Sequence, residues 1–331
     1  MEERRLGRSG LRVSRLALGT MTWAHDPDGE VARDQLVTFV DSGGTLVDSA
    51  ACYADGAAEE LLGTLLATAV SREHVLIATR AGVSGPPGAV GGPATGTGLD
   101  TSRRALLDTL DASLARLGTD HVDLWLVHGF DPATPMSETL SALDYAVDTG
   151  RTRYVGVAAC AGWQLAGSAT WQRAVPGRAA VVAAAAEYSL LARGVERELC
   201  PAAAHLGVGL LPWSPLGRGV LTGKYRHGVP ADSRAASAEL APFVEAYFDQ
   251  RSRRIVDAVA TAADGLGAPA LEVALAWVRD QPGVAAPVVG ARTTAQLRAA
   301  LASEHLTLPA EIRQALDDVS RPPMGYPERA H

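Results

Sequence analysis

Short apolar runs alternate with longer stretches of helical period along almost the whole chain, and this alternation constrains the fold most. Eight strand candidates can be counted, at residues 15–19, 45–48, 74–79, 122–127, 154–157, 181–185, 207–211 and 286–289. Repeated βα units are typical of a parallel sheet with helices packed against it. Eight of them predict a closed (β/α)8 TIM barrel, and 331 residues fit one such domain, spanning 1–331.

Two local patterns predict how the barrel is built. Residues 101–117 carry leucines at three- and four-residue spacing and are followed by Gly118, which predicts an amphipathic helix that stops at the glycine. Residues 4–13, with Gly7 and Gly10 at turn positions, predict an N-terminal β-hairpin that plugs the barrel floor.

Two long segments interrupt the regular βα rhythm. Residues 82–98 are rich in glycine and proline, and residues 225–250 follow the seventh strand with scattered charge. In a parallel barrel such connections lie at the C-terminal face, where sites are built, so both are candidate lids. For 82–98, a surface loop that touches nothing is the open alternative.

Charge and cysteine content restrict the function classes. A formal net charge of -7 and a pI near 5.6 argue against a role on nucleic acid, which needs a basic footprint. No stretch approaches the roughly 20 apolar residues of a membrane helix. Cys52, Cys160 and Cys200 are too few and too far apart for a disulfide framework or a metal site. We therefore expect a cytoplasmic protein without a membrane or metal partner.

Four polar residues stand at or just after predicted strand ends. Asp48 and Tyr53 follow the second strand, Arg80 ends the third and His128 ends the fourth. In a parallel barrel these positions meet at one mouth, where they could surround one reacting carbonyl. The alternatives are structural: Asp48 as a helix cap, Tyr53 packed on a loop and His128 as a core histidine.

The sequence resembles the aldo-keto reductases over nearly its whole length. The motifs that carry the resemblance are RLGRSGLRVS at 5–14, LGT at 18–20, VDSA at 47–50 followed by Tyr53, LGTDHVD at 117–123, RYVG at 153–156, LPWSPLG at 211–217, LTGK at 221–224, ALAW at 274–277 and VGAR at 289–292. They stand in the family's order and spacing.

The resemblance implies NADPH-dependent carbonyl reduction, in which Tyr53 protonates the forming alkoxide and His128 polarises the carbonyl. Relatives place a lysine beside the tyrosine, held by the aspartate, and that position is Arg80 here. Arginine keeps the positive charge and can pair with Asp48, but it cannot relay a proton and is larger than an ammonium group. Its presence through compositional drift towards arginine is the alternative.

Many cofactor positions match the family pattern. They are Gly19, Thr20, Trp213, Ser214, Leu216, Gly217, Arg218, Lys224, Gly290, Arg292 and Gln296. The resemblance assigns Arg292 to the 2′-phosphate of NADP(H) and Trp213 to the face on which the nicotinamide stacks. Trp23 and Trp163 suggest an aromatic mouth that contacts the substrate.

Five other cofactor positions depart from the pattern. Relatives grip the nicotinamide carboxamide with a Ser-Asn pair and a Gln, where this chain has Ala158, Ala159 and Ala185. They hold adenine with a Glu-Asn pair, where this chain has Ala299 and Ala300. Five lost hydrogen bonds correspond to about 5 kcal/mol, or between three and four decades of affinity, so NADP(H) binding is expected to be weak or absent.

Three functions remain open at this point. The first is an NADPH-dependent reductase of a ketone or aldehyde on a bulky small molecule, such as a sugar or polyketide-like intermediate. The second is a redox-independent acid-base enzyme, a dehydratase, isomerase or cyclase, on the same barrel. The third is a catalytically silent regulatory or scaffold subunit. The predicted partner is a small-molecule substrate, and self-association into a homo-oligomer is left open.

Overall fold

The computed structural model describes residues 1–24, 29–83, 98–231, 233–237, 240–323 and 325. The strands are β1 (Glu3–Arg5), β2 (Arg12–Ser14), β3 (Ala17–Gly19), β4 (Leu46–Asp48), β5 (Leu76–Ala81), β6 (Val122–His128), β7 (Thr152–Ala158), β8 (Val181–Glu187), β9 (Gly209–Trp213) and β10 (Val288–Val289). The helices are α1 (Gly29–Asp41), α2 (Ala57–Thr68), α3 (Arg103–Leu117), α4 (Met136–Asp148), α5 (Gly162–Arg173), α6 (Leu199–Leu206), α7 (Ala241–Glu245), α8 (Gln250–Leu266), α9 (Ala270–Arg279), α10 (Thr294–Ala302) and α11 (Ala310–Ser320).

The strands β3 to β10 form one parallel eight-stranded sheet in the order β10-β3-β4-β5-β6-β7-β8-β9. The two ends of this order meet just before β10, where Leu210 pairs in parallel with Val284. The Leu210 amide donates to the Gly283 carbonyl at 2.9 Å, and the Ala285 amide donates to the Leu210 carbonyl at 2.9 Å. The predicted (β/α)8 barrel is confirmed.

The predicted N-terminal hairpin is also confirmed, and it lies against the barrel interior. β1 and β2 pair antiparallel, and Leu6 and Val13 are fully buried in a cluster with inward-facing barrel residues such as Leu124. Gly7 has φ +58, and a Cβ there would lie 2.4 Å from the carbonyl oxygen of Gly207. Only glycine therefore allows the turn to approach the barrel this closely.

Helix α3 ends where the pattern predicted and begins at Arg103, two residues after the predicted start. The Ser102 side chain accepts from the Ala105 amide at the N-terminus, and Gly118 ends the helix with a left-handed φ of 62. The seventh barrel strand is shifted from its predicted position, since β9 starts at Gly209 rather than at Gly207. Gly207 takes a left-handed φ of 62 and caps α6 instead, because the helix needs that conformation to end.

The connection 225–250 is partly structured: its described residues include the short helix α7 and a 3₁₀ turn at Arg234–Ala236. The other predicted lid, 82–98, falls almost wholly outside the described residues. No single helix in the described ranges has the length and apolarity to cross a membrane, and α8 with α9 reaches that length only as a pair bent by 102°.

Candidate active site

Three neighbouring strands, β4, β5 and β6, deliver predicted polar side chains to the C-terminal mouth of the barrel. Asp48 is the last residue of β4 and pairs in register with Gly19 and Ala78. Arg80 lies near the end of β5, and His128 is the last residue of β6. The common edge follows from parallel strands, whose carboxyl ends all point the same way.

Asp48 and Arg80 form a buried ion pair. Nη2 of Arg80 donates to both carboxylate oxygens of Asp48 at 2.6 Å, and each side chain is only 2% exposed. The amide of Thr20 donates to the Asp48 carbonyl at 3.0 Å, and its hydroxyl donates to Ser49 Oγ at 2.9 Å. Thr20, predicted to bind cofactor, is fully buried and does not line the cavity described below, so it supports the Asp48 strand end instead.

Tyr53 begins a 3₁₀ turn in which Ala54 and Asp55 take left-handed φ values of 48 and 53. Its side chain is 6% exposed. Burial raises the pKa of Tyr53 above its ordinary value, and this effect outweighs the opposing effect of Arg80. The Arg80 charge lowers the pKa of Tyr53 but does not set the net direction. Tyr53 carries its proton at neutral pH, and its side chain lines the cavity described below.

His128 is 2% exposed. Burial, with a smaller contribution from the Arg80 charge, lowers the pKa of His128 to about 3. The imidazole is therefore neutral across the physiological range. Over the described residues, the cavity wall does not include His128, so a direct contact with substrate stays a prediction.

One cavity of about 640 Å³ opens at this mouth, within the range of small-molecule sites. The predicted residues that line it are Gly19, Asp48, Tyr53, Arg80, Trp213, Ser214, Leu216, Arg218, Lys224, Gly290, Arg292 and Gln296. Ala299 and Ala300 line it too. Gly217 does not line it; its φ of +55 shapes the turn, and a Cβ there would lie 2.6 Å from Leu191 Cδ1.

The cavity wall is electropositive although the chain is acidic. Lys224, Arg234 and Arg292 all line it, while its described carboxylate, Asp48, is paired with Arg80. Among the described residues, no group of three His, Cys, Asp or Glu side chains is placed to hold a metal ion. A small anionic ligand suits this wall better than a cation does.

The two tryptophans predicted to contact substrate lie elsewhere. Trp23 is fully buried in the core, and its indole nitrogen donates to Gln35 Oε1 at 2.9 Å. Trp163 is 65% exposed on the first turn of α5. Neither belongs to the cavity wall. The prediction was wrong for Trp23, because its indole is held in the core by contacts that the local pattern does not reveal, and a substrate contact of the exposed Trp163 stays a prediction.

Arg218 lines the cavity, but its guanidinium is largely engaged by the protein itself. Nε and Nη2 donate to the two carboxylate oxygens of Glu187 at 2.9 and 2.8 Å, and Nη1 donates to the Phe243 carbonyl at 2.6 Å. The same guanidinium lies 3.7 Å from the centroid of the Phe243 ring. Tyr247 donates its hydroxyl to Glu187 Oε1 at 2.8 Å. We call Glu187, Arg218, Phe243 and Tyr247 the loop anchor.

The loop anchor ties residues 241–248 to the end of β8, beside the cavity that Phe243 helps to line. Sequence reasoning assigned Arg218 to the cofactor and missed its partners. One signal was available: Glu187 directly follows the alanine run of the sixth barrel strand, and a carboxylate at a strand end on this face is a site position.

We expect Glu187→Gln to loosen residues 241–248 without unfolding the barrel. The variant loses the ion pair to Arg218, and charge-assisted hydrogen bonds are worth about 1.5–3 kcal/mol, which is roughly 10- to 150-fold in opening equilibrium. Amide hydrogen exchange of α7 measures the effect. Glu245→Gln, on the exposed face of the same helix, is the matched control. Unchanged protection in Glu187→Gln would show that the loop is held by other contacts.

The alanines at the departing positions lie in two places. Ala158 and Ala185 are paired in register near the ends of β7 and β8, and each is at most 1% exposed. Ala159 follows with a φ of 50, and its amide donates to the Ala185 carbonyl at 3.0 Å. Ala299 and Ala300 belong to α10.

The chain is similar to known proteins over nearly its whole length. The model of the Aldo/keto reductase family matches residues 15–321. A relative described as an uncharacterized oxidoreductase, YrpG of Bacillus subtilis, is 34% identical over 100% of this chain and 99% of its own length. The versiconal hemiacetal acetate reductase of Aspergillus parasiticus is 31% identical over 99% of each chain. A probable voltage-gated potassium channel subunit beta of Arabidopsis thaliana is 34% identical over 90% of this chain and 89% of its own length.

Proposed function

This chain belongs to the aldo/keto reductase family, and on that premise we propose that it uses NADPH to reduce a ketone or aldehyde on a bulky small molecule. One observation carries the proposal: a buried, protonated tyrosine and a cationic wall share a single cavity. Proton donor and anion-binding groups thus face the same ligand space, as a reduction by an anionic hydride donor requires.

The cations and hydrogen-bond donors of the cavity wall fit the phosphorylated part of NADP(H). The protein side chains that would hold it are Lys224 and Ser214 in the segment after β9, and Arg292 and Gln296 after β10. Arginine matches a phosphate with a planar fork of donors, while lysine acts as a point charge. The adenine position, with Ala299 and Ala300, offers methyl groups instead of polar atoms.

When bound, NADPH supplies the hydride that reaches the carbonyl carbon. Tyr53 holds the proton at its hydroxyl and gives it to the carbonyl oxygen as negative charge develops there. Arg80 remains charged throughout, so it stabilises that charge and the tyrosinate left behind. Asp48 fixes the position of Arg80 through both carboxylate oxygens.

A bulky carbonyl compound is supported by one of the relatives. The Aspergillus relative that spans the full chain is named for reduction of versiconal hemiacetal acetate. A panel of sugar and polyketide-like carbonyls is therefore the first substrate screen.

The cofactor part of the proposal is tested by calorimetric titration of cofactor-stripped protein with NADPH. Arg292→Ala should weaken NADPH about tenfold or more, because it removes a charge-assisted contact to phosphate. Arg298→Ala, exposed on α10 and outside the cavity wall, should leave the affinity unchanged. No NADPH binding up to millimolar would contradict the proposal and favour the redox-independent acid-base enzyme on the same barrel.

A second candidate is a binding subunit without turnover. It is favoured by the Arabidopsis relative, which is named as a probable voltage-gated potassium channel subunit beta. Indifference of its cellular role to Tyr53→Phe would support this candidate, and loss of the role in that variant would argue against it.

A further inference from the structure

The polar groups of the cavity are concentrated at one end. The side chains that carry charge or hydrogen-bonding groups in the segments after β9 and β10 are Ser214, Arg218, Thr222, Lys224, Arg234, Arg292 and Gln296. Arg218 is engaged with Glu187, and the positive charges of Lys224, Arg234 and Arg292 suit phosphate groups. This end of the cavity can recognise a ligand by charge and by directed hydrogen bonds.

The end beside Tyr53 and Arg80 is built differently on its β7 to β9 side. Ala158 is fully buried and Ala185 is 1% exposed, and both belong to the inward-facing apolar cluster of the barrel. Trp213 packs against this cluster and lines the cavity. Of these residues Trp213 lines the cavity and presents an aromatic face to a bound molecule, while Ala158 and Ala185 lie outside the described wall and offer no polar side-chain atom to it.

The backbone amides at the same edge already donate hydrogen bonds within the barrel. The Ala158 carbonyl accepts from the Gly129 amide at 2.8 Å, and the Ala185 carbonyl accepts from the Ala159 amide at 3.0 Å. A carbonyl substituent held here would lose water without gaining the Gly129 or Ala159 amide as a donor, which costs free energy rather than supplying it. A flat ring, by contrast, can stack on Trp213 whatever substituent it carries.

We propose that the site recognises NADP(H) through its 2′-phosphorylated ADP-ribose half, and that the nicotinamide head contributes little to affinity. The inference rests on the proposed function, since it assumes the same cofactor. Its consequence is a site that grips the phosphates firmly and tolerates changes in the pyridine ring, such as an acetyl group in place of the carboxamide.

The test compares NADP⁺ with 2′-phospho-ADP-ribose, which is the same molecule without nicotinamide, by calorimetric titration of the cofactor-stripped full chain. We expect the two dissociation constants to agree within about fivefold, the equivalent of one hydrogen bond. The dinucleotide with 3-acetylpyridine should bind within the same range.

A second binding experiment uses variants that place a side-chain amide at this edge. Ala159→Asn should tighten NADP⁺ by about fivefold and leave 2′-phospho-ADP-ribose unchanged, because the amide that relatives carry at this position grips the carboxamide of the ring and not the phosphates. Asn also tolerates the left-handed φ of 50 at this position better than Ala does. Ala185→Gln should act similarly if the buried edge accepts it, and Ala112→Gln, on the exposed face of α3, is the control for the substitution itself.

The possible outcomes separate the inference from the function on which it rests. If NADP⁺ binds more than about 30-fold tighter than 2′-phospho-ADP-ribose, the inference is overturned and the reductase proposal stands. If neither molecule binds up to millimolar, both are overturned. If both bind alike and only NADP⁺ gains from Ala159→Asn, the inference is supported.

Discussion

Tyr53→Phe should lower kcat/KM for carbonyl reduction by about 10²- to 10⁴-fold, the usual contribution of a positioned proton donor. The loss should appear in kcat, because the phenol acts when charge develops on the carbonyl oxygen and not when the substrate first binds. NADPH affinity should stay the same, since the phosphate-facing residues are untouched. Steady-state kinetics together with calorimetric titration of NADPH measure both quantities.

Tyr225→Phe is the matched control for this substitution. The Tyr225 hydroxyl is buried without a hydrogen-bond partner among the described residues, so removing it should leave turnover and stability nearly unchanged. A Tyr53→Phe variant that keeps full activity would show that another group delivers the proton. The pH profile adds a check: His128 is neutral down to a pKa of about 3, so its protonation should produce no limb near pH 6.5.

Arg80→Met should destabilise the fold by about 3–5 kcal/mol at neutral pH, because it leaves the Asp48 carboxylate buried without its cation. Both side chains are only 2% exposed although they border the cavity, so water compensates little for the lost guanidinium in the folded state. Urea unfolding followed by circular dichroism measures the loss. Arg104→Met is the control, since Arg104 pairs with Asp108 on an exposed face of α3 and should contribute little.

The loss of folding stability in Arg80→Met should become smaller as the pH falls. Burial raises the pKa of Asp48 in the wild type, and Arg80 opposes that rise, so the variant should have a still higher pKa. A folded-state pKa above the unfolded value of about 3.9 means that protonation favours the folded state. The Arg80→Met variant therefore loses stability as the pH rises through the raised pKa of Asp48. It regains that stability below this pKa. A deficit that is the same at pH 5 and pH 8 would contradict this explanation.

The double substitution Asp48→Leu with Arg80→Met separates charge from packing. Replacing both partners by apolar side chains should recover most of the lost stability, since no uncompensated charge remains. If the double variant is as unstable as Arg80→Met, the cost comes from packing at the strand ends. Neither variant is expected to catalyse reduction, because both lack the cation beside Tyr53.

Periodicity and local turn chemistry predicted most of the barrel. Apolar runs at regular spacing located all eight strands, and Gly118 marked the end of α3 because left-handed caps favour glycine. Strand boundaries were less certain, as Gly207 shows: a glycine beside a strand pattern can equally end the preceding helix. The convergence of Asp48 and Arg80 followed from the barrel, since parallel strand ends share one edge.

The sequence by itself determined the family, the barrel and the residues that its strand ends bring to the mouth, because these depend on patterns within short segments. The tertiary structure alone decided how each polar group is used. Arg218 is held by Glu187, 31 residues away along the chain, and Trp23 turns into the core to donate to Gln35. Such partners are set by the packing of distant segments and by burial, which also fixes the proton on Tyr53, and no local pattern encodes either.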